Sequence, residues 1–118
     1  MGQLYTVDGE EVWSTALETS QVFVRQIALL ADFVLKRPSG LYDTGHDEIE
    51  VDPPVFRDFL LATLGHLHEV NGSWQLHAMA RGVLQVALDL DERASGERLV
   101  LPDWFRDITD APYVSCHS

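Results

Sequence analysis

The sequence predicts an α+β domain: an N-terminal β-hairpin, a three-helix core dominated by a long first helix, and a short C-terminal strand or turn lying against the hairpin. Three observations carry this prediction. Asp8-Gly9 stands between two short apolar runs, three longer segments repeat apolar residues at helical spacing, and a brief apolar run returns at Leu99 to Leu101. Asp-Gly between such runs signals a hairpin, because glycine tolerates positive φ at no steric cost. The hairpin is expected over residues 4–13.

Helical spacing begins at Ser14 and runs to Lys36, with Ser14 or Thr15 available as N-cap, Glu18 in the first turn and Pro38-Ser39-Gly40 as the stop. Glu18, Gln21, Arg25, Asp32 and Lys36 fall on one narrow polar strip. Leu17, Phe23, Val24, Ile27, Leu30, Ala31 and Val34 fill the opposite side, and Val22, Leu29 and Phe33 form a second apolar stripe beside it. A helix apolar on two sides needs two covers. The second is either the rest of this chain or another subunit, which makes Val22, Leu29 and Phe33 the candidate interface of a homodimer.

Residues 41–51 are polar and turn-rich, with a short strand at Glu48 to Val51. Asp52 before Pro53-Pro54 is a helix start: aspartate caps free N–H groups, and proline at the first helical position gives up no needed donor. The second helix is expected over 53–71, ending at Gly72, and the third over 74–94, capped by Ser73 and ending before Gly96. Their apolar faces, Val55, Phe56, Phe59, Leu60, Leu64, Leu67 and Val70 against Leu76, Met79, Ala80, Val83, Ala87 and Leu90, predict an antiparallel pair. In the C-terminal segment 98–118, Trp104 and Phe105 are placed to close the open end of the core.

At 118 residues and 46% hydrophobic composition, one folded domain spanning 1–118 is expected. The longest apolar stretch, Val22 to Leu35, is broken by Arg25, Gln26 and Asp32, so no membrane span is expected. No basic segment followed by an apolar core opens the chain, and the single cysteine, Cys116, suits a reducing compartment; both point to the cytoplasm. Seven of the eight basic residues are arginine, which suggests a GC-rich bacterial source. A net charge of −11 disfavours nucleic acid and anionic lipid and favours basic partners. The acids concentrate modestly at Asp43, Asp47, Glu48, Glu50, Asp52 and Asp58, either a solvated surface or a recognition patch for a basic protein.

Side chains capable of chemistry crowd only in residues 65–77, GHLHEVNGSWQLH. His66 and Glu69 share a flank of the second helix, whereas His68 looks the other way. His66, Glu69 and His77 could therefore meet only across the Gly72 turn, as ligands of a zinc-type site. The competing reading is a helix–turn–helix hinge with boundary histidines. No phosphate-binding loop, nucleophile elbow, dinucleotide fingerprint or Cys-x-x-Cys pair occurs, and Cys116-His117 lies in a terminal segment that does not fix a nucleophile against its base. Asp47, Glu48 and Glu50 lack the oxygen alternation of a calcium loop. No catalytic residue and no cofactor is implied.

The stretch VWSTALETSQVFVRQIALL, followed by LKRPSG, resembles small uncharacterised proteins of actinobacteria that have a short N-terminal hairpin and a Val-Arg-Gln-containing helix. The resemblance covers roughly the first forty residues, implies the hairpin–helix start, and carries over no activity and no site residue. The expected function is non-catalytic protein binding, as an immunity factor, inhibitor or accessory subunit. The alternative is a small metal-dependent enzyme built on His66, Glu69 and His77.

Overall fold

The computed structural model describes residues 2–69 and 74–100. Asp8 and Gly9 both take positive φ, 52° and 84°, as a two-residue turn matching the right-handed twist of its strands requires. The turn joins β1 (Gly2–Val7) to β2 (Glu10–Ala16). The ladder runs further than the apolar pattern does: Ser14, Thr15 and Ala16 pair with Leu4, Gln3 and Gly2. The first helix therefore starts at Leu17 rather than Ser14, and the expected caps are consumed in the strand. Ala16 occupies the N-cap position and makes no side-chain cap bond.

Helix α1 (Leu17–Ala28) passes directly into a π-helical segment over Leu29–Leu35. Lys36 then turns left-handed at φ 53°, and the N–H groups of Lys36 and Arg37 both donate to the Ala31 carbonyl. β3 (Leu41–Asp43) and β4 (Glu48–Val51) follow, then α2 (Pro53–Glu69) and α3 (Trp74–Ser95). The Asp52 carboxylate accepts from the Val55 N–H at 3.4 Å and its carbonyl accepts from Phe56 N–H at 2.9 Å, so aspartate and prolines open α2 together. Gly96, at φ 78°, ends α3 by donating to the Glu92 carbonyl.

The sheet order is β2-β1-β4-β3, with β1 and β4 parallel and the outer pairs antiparallel. The place beside the hairpin belongs to β4. Leu99 and Val100 lie in no strand, and the rest of the expected C-terminal strand, with Trp104 and Phe105, falls outside the described residues. The proposed Gly72 stop and Ser73 cap, together with Val70 and Asn71, fall outside them too.

One face of the sheet meets the helices. Tyr5, its cross-strand partner Trp13 and Phe23 of α1 form an aromatic cluster with ring centroids 4.7 to 6.2 Å apart. α2 and α3 pack on each other through Phe56, Phe59, Leu60, Leu64 and Leu67 against Ala80, Val83, Leu84, Ala87 and Leu90, all buried. Met79, expected on this face, stands at its margin and is exposed.

Beneath the sheet the Ser20 hydroxyl donates to Gln3 Oε1, which leaves the Tyr5 hydroxyl to donate to Ser20 Oγ at 2.7 Å. Burial pushes the Tyr5 phenol above its usual 10.0. The folded state thus holds this proton more tightly than the unfolded chain, so the stabilisation is complete below pH 10 and is lost as pH rises through the higher folded value. Tyr5→Phe is expected to cost about 1 kcal/mol at neutral pH through the lost bond, and to flatten the alkaline loss of stability. Urea midpoints on both sides of pH 10 check both effects; an unchanged alkaline slope contradicts them.

Candidate functional site

Register sorts the strand residues onto two faces. Glu11, Thr6, Glu50 and Tyr42 are successive cross-strand partners and form one row, and Ser14, Leu4 and Glu48 form the next. Because neighbours in a strand alternate faces, these rows stand opposite the side where Tyr5, Trp13 and Ile49 meet the core. A bulge between Tyr5 and Thr6 leaves Val12 as the extra residue of β2. It lets Val12 pack against the core while Glu11 turns outward.

The outward face is acidic for a reason visible in the chain: no lysine or arginine occurs before Arg25, nor between Arg37 and Arg57. β2, β3, β4 and the two tight turns therefore carry carboxylates, and none of the four strands carries a lysine or arginine. Thr6 Oγ1 donates to Glu48 Oε2 at 2.8 Å, which fixes that carboxylate across the two central strands. Leu4 and Tyr42 are 40% and 47% exposed and give the face apolar and aromatic footing. At its rim an open cleft of about 370 Å³ is lined by Asp8, Tyr42, Glu50, Val51, Asp52, Pro53 and Pro54. The Asp43 carboxylate accepts from Gly45 N–H, and Thr44 bonds the Glu48 carbonyl, tying the β3–β4 turn together. Such an arrangement can bind cationic side chains through long-range attraction and an aromatic contact.

The histidine-rich stretch is used differently. His77 Nε2 lies 2.7 Å from the Leu67 carbonyl oxygen. A carbonyl only accepts, so Nε2 carries the proton and donates, closing a free carbonyl in the last turn of α2. His66 is half-buried and Glu69 exposed. Among the described residues no group of three or more histidines, cysteines, aspartates and glutamates is placed to hold a metal ion, so His66, Glu69 and His77 are not gathered. Cys116 and His117 lie outside the described residues.

Val22, Leu29 and Phe33 are 54%, 59% and 75% exposed, so no described element covers the second stripe of the first helix. Sequence reasoning missed the ion pair of Arg57 with Asp91, at 2.8 Å, whose carboxylate side chain is 1% exposed. Arg57 also donates to Ser95 Oγ and the Glu97 carbonyl. The bond to Asp91 holds the guanidinium further above its usual range. The pair clamps the start of α2 to the end of α3.

Fold and surface define a small α+β domain with helices on one side of a four-stranded sheet and carboxylates on the other. Residues 1–111 match the model of a family of unknown function, DUF6086, and the chain belongs to that family. No curated protein and no solved structure matches the chain. Among the described residues no helix is long and apolar enough to cross a membrane.

Proposed function

We propose that this chain is a non-catalytic protein-binding module of the bacterial cytoplasm, an immunity factor, inhibitor or accessory subunit of a GC-rich organism such as an actinobacterium. The observation that supports this reading is the sheet face that no described element covers, with Glu11, Glu48 and Glu50 beside Leu4 and Tyr42, which suits a basic partner. Attraction of that kind speeds encounter and selects by sign, while exposed apolar groups add contact once the partner docks. Nucleic acid, repelled by the same charge, is not the partner.

Affinity purification from the source cells tests the reading, with Glu11→Lys/Glu50→Lys set against Glu69→Lys/Glu92→Lys, which makes the same charge change on α2 and α3. A basic protein held by the wild type and by the helix variant, released by the sheet variant and weakened by salt, is the expected result. Nucleic acid in its place, or equal retention by both variants, overturns the reading. Metal analysis of tag-free protein separates it from the enzymatic alternative, since about one tightly held transition-metal ion per chain means a metal site after all.

A further inference from the structure

We infer that the exposed stripe of the first helix pairs with the same stripe of a second copy, in an antiparallel two-fold contact distinct from the acidic sheet face. Val22, Leu29 and Phe33 share one side of the helix and are each more than half exposed. Apolar groups gathered in a stripe and rimmed by polar residues mark an interaction site.

The charges around the stripe identify the occupant. From Leu17 to Arg37 the chain carries Arg25, Lys36 and Arg37 against Glu18 and Asp32, a balance of one positive charge in a protein whose net charge is −11. Along this helix a like-charged copy meets no general repulsion. Glu18 lies at one end of the stripe and Lys36 at the other; both are exposed, and neither has an ion-pair partner among the described residues. A parallel pairing would set like charges together. An antiparallel pairing with its axis at the level of Ile27 sets Glu18 of each copy against Lys36 of the other and Val22 against Phe33. The two Leu29 side chains then meet near the axis. Because a two-fold contact is isologous, each of these pairings occurs twice.

A single helix face buries less than a standard interface, so the dimer is weak and depends on concentration. Light scattering from about 10 μM to 1 mM reads it directly on the affinity scale of such contacts. The wild-type mass is expected to rise from 13.3 kDa toward twice that value. Phe33→Glu, and independently Leu29→Glu, should stay monomeric with an unchanged circular dichroism spectrum, since both residues stand outside the core. Glu18→Lys and Lys36→Glu should each weaken the dimer by about ten-fold, as each reversal acts twice, and the double exchange on one chain should restore it. A wild type that stays monomeric at every concentration, as it would if residues 101–118 of its own chain occupied the stripe, overturns the proposal. A double exchange no better than the single variants overturns the antiparallel register.

Discussion

Arg57→Ala is expected to lower stability by about 3 kcal/mol, read from urea unfolding monitored at the tryptophans, and to lower the melting temperature by roughly 10 °C or more. The cause is the group left behind. Asp91 lies on the inner face of α3 with its side chain 1% exposed, held by the Arg57 guanidinium through two bonds from Nε at 3.3 and 3.4 Å and one from Nη2 at 2.8 Å. Removing the fork leaves a buried carboxylate without its counter-charge, which costs more than the pair itself contributes. The side chain of Arg57 is 26% exposed, so water that reaches its site softens the loss and places the effect at the lower end of the range for broken buried pairs. Arg57→Met/Asp91→Leu should recover most of it, because an apolar pair of similar volume leaves nothing charged to desolvate. A single variant within 1 kcal/mol of the wild type would show that the clamp is dispensable.

The hairpin was legible because Asp8-Gly9 has few uses other than a tight turn, and the start of α2 because Asp52, Pro53 and Pro54 each act within one helical turn. Both are local devices. The pairing of β1 with β4 joins Tyr5 to Ile49 across most of the first half of the chain, and no spacing rule reports it. β3 is three residues long and half polar, so its apolar pattern is empty, and it exists because β4 supplies its ladder. The same cause moved the start of α1: Ser14 and Thr15 are good caps in isolation but make strand bonds to Leu4 and Gln3 instead. The histidines carried two readings, a hinge with boundary histidines and a metal site, because a helix-capping donor and a metal ligand use the same residue; the bond of His77 to the Leu67 carbonyl was not legible, since it depends on how α3 returns along α2. The ion pair did leave a trace. Asp91 follows Leu84 and Ala87 at seven and four residues, on a face otherwise apolar, and a carboxylate there requires a cation from a facing helix. The acidic sheet face left a plainer one in the two long stretches without lysine or arginine, although only strand register shows that Glu11, Glu48 and Glu50 share a face.

Gly40→Ala is expected to cost about 3 kcal/mol, with Gly45→Ala as the control that separates its two causes. Both glycines have similar backbones, φ 90° and 84°, a conformation that a residue with a Cβ adopts only under strain of roughly 1–3 kcal/mol. Their surroundings differ. A Cβ on Gly45 meets nothing within 4 Å, whereas one on Gly40 would lie 2.6 Å from the Phe56 nitrogen and 3.0 Å from the Asp52 carbonyl oxygen and the Phe56 Cα. Those are backbone atoms of the first turn of α2, so no side chain can swing aside. The Gly40 carbonyl also accepts from the Asp52 N–H at 2.8 Å, which binds the two segments face to face. Relief therefore requires α2 to back away from the turn before β3, at a further cost of about 1–3 kcal/mol typical of an overfilled site. Asp52, Pro53 and Pro54 wall the acidic cleft and move with that turn. In denaturant unfolding Gly45→Ala should lose about 1 kcal/mol and Gly40→Ala clearly more. Equal losses in the two variants would mean that the close approach of Gly40 to α2 yields without strain and that backbone conformation alone selects glycine at both positions.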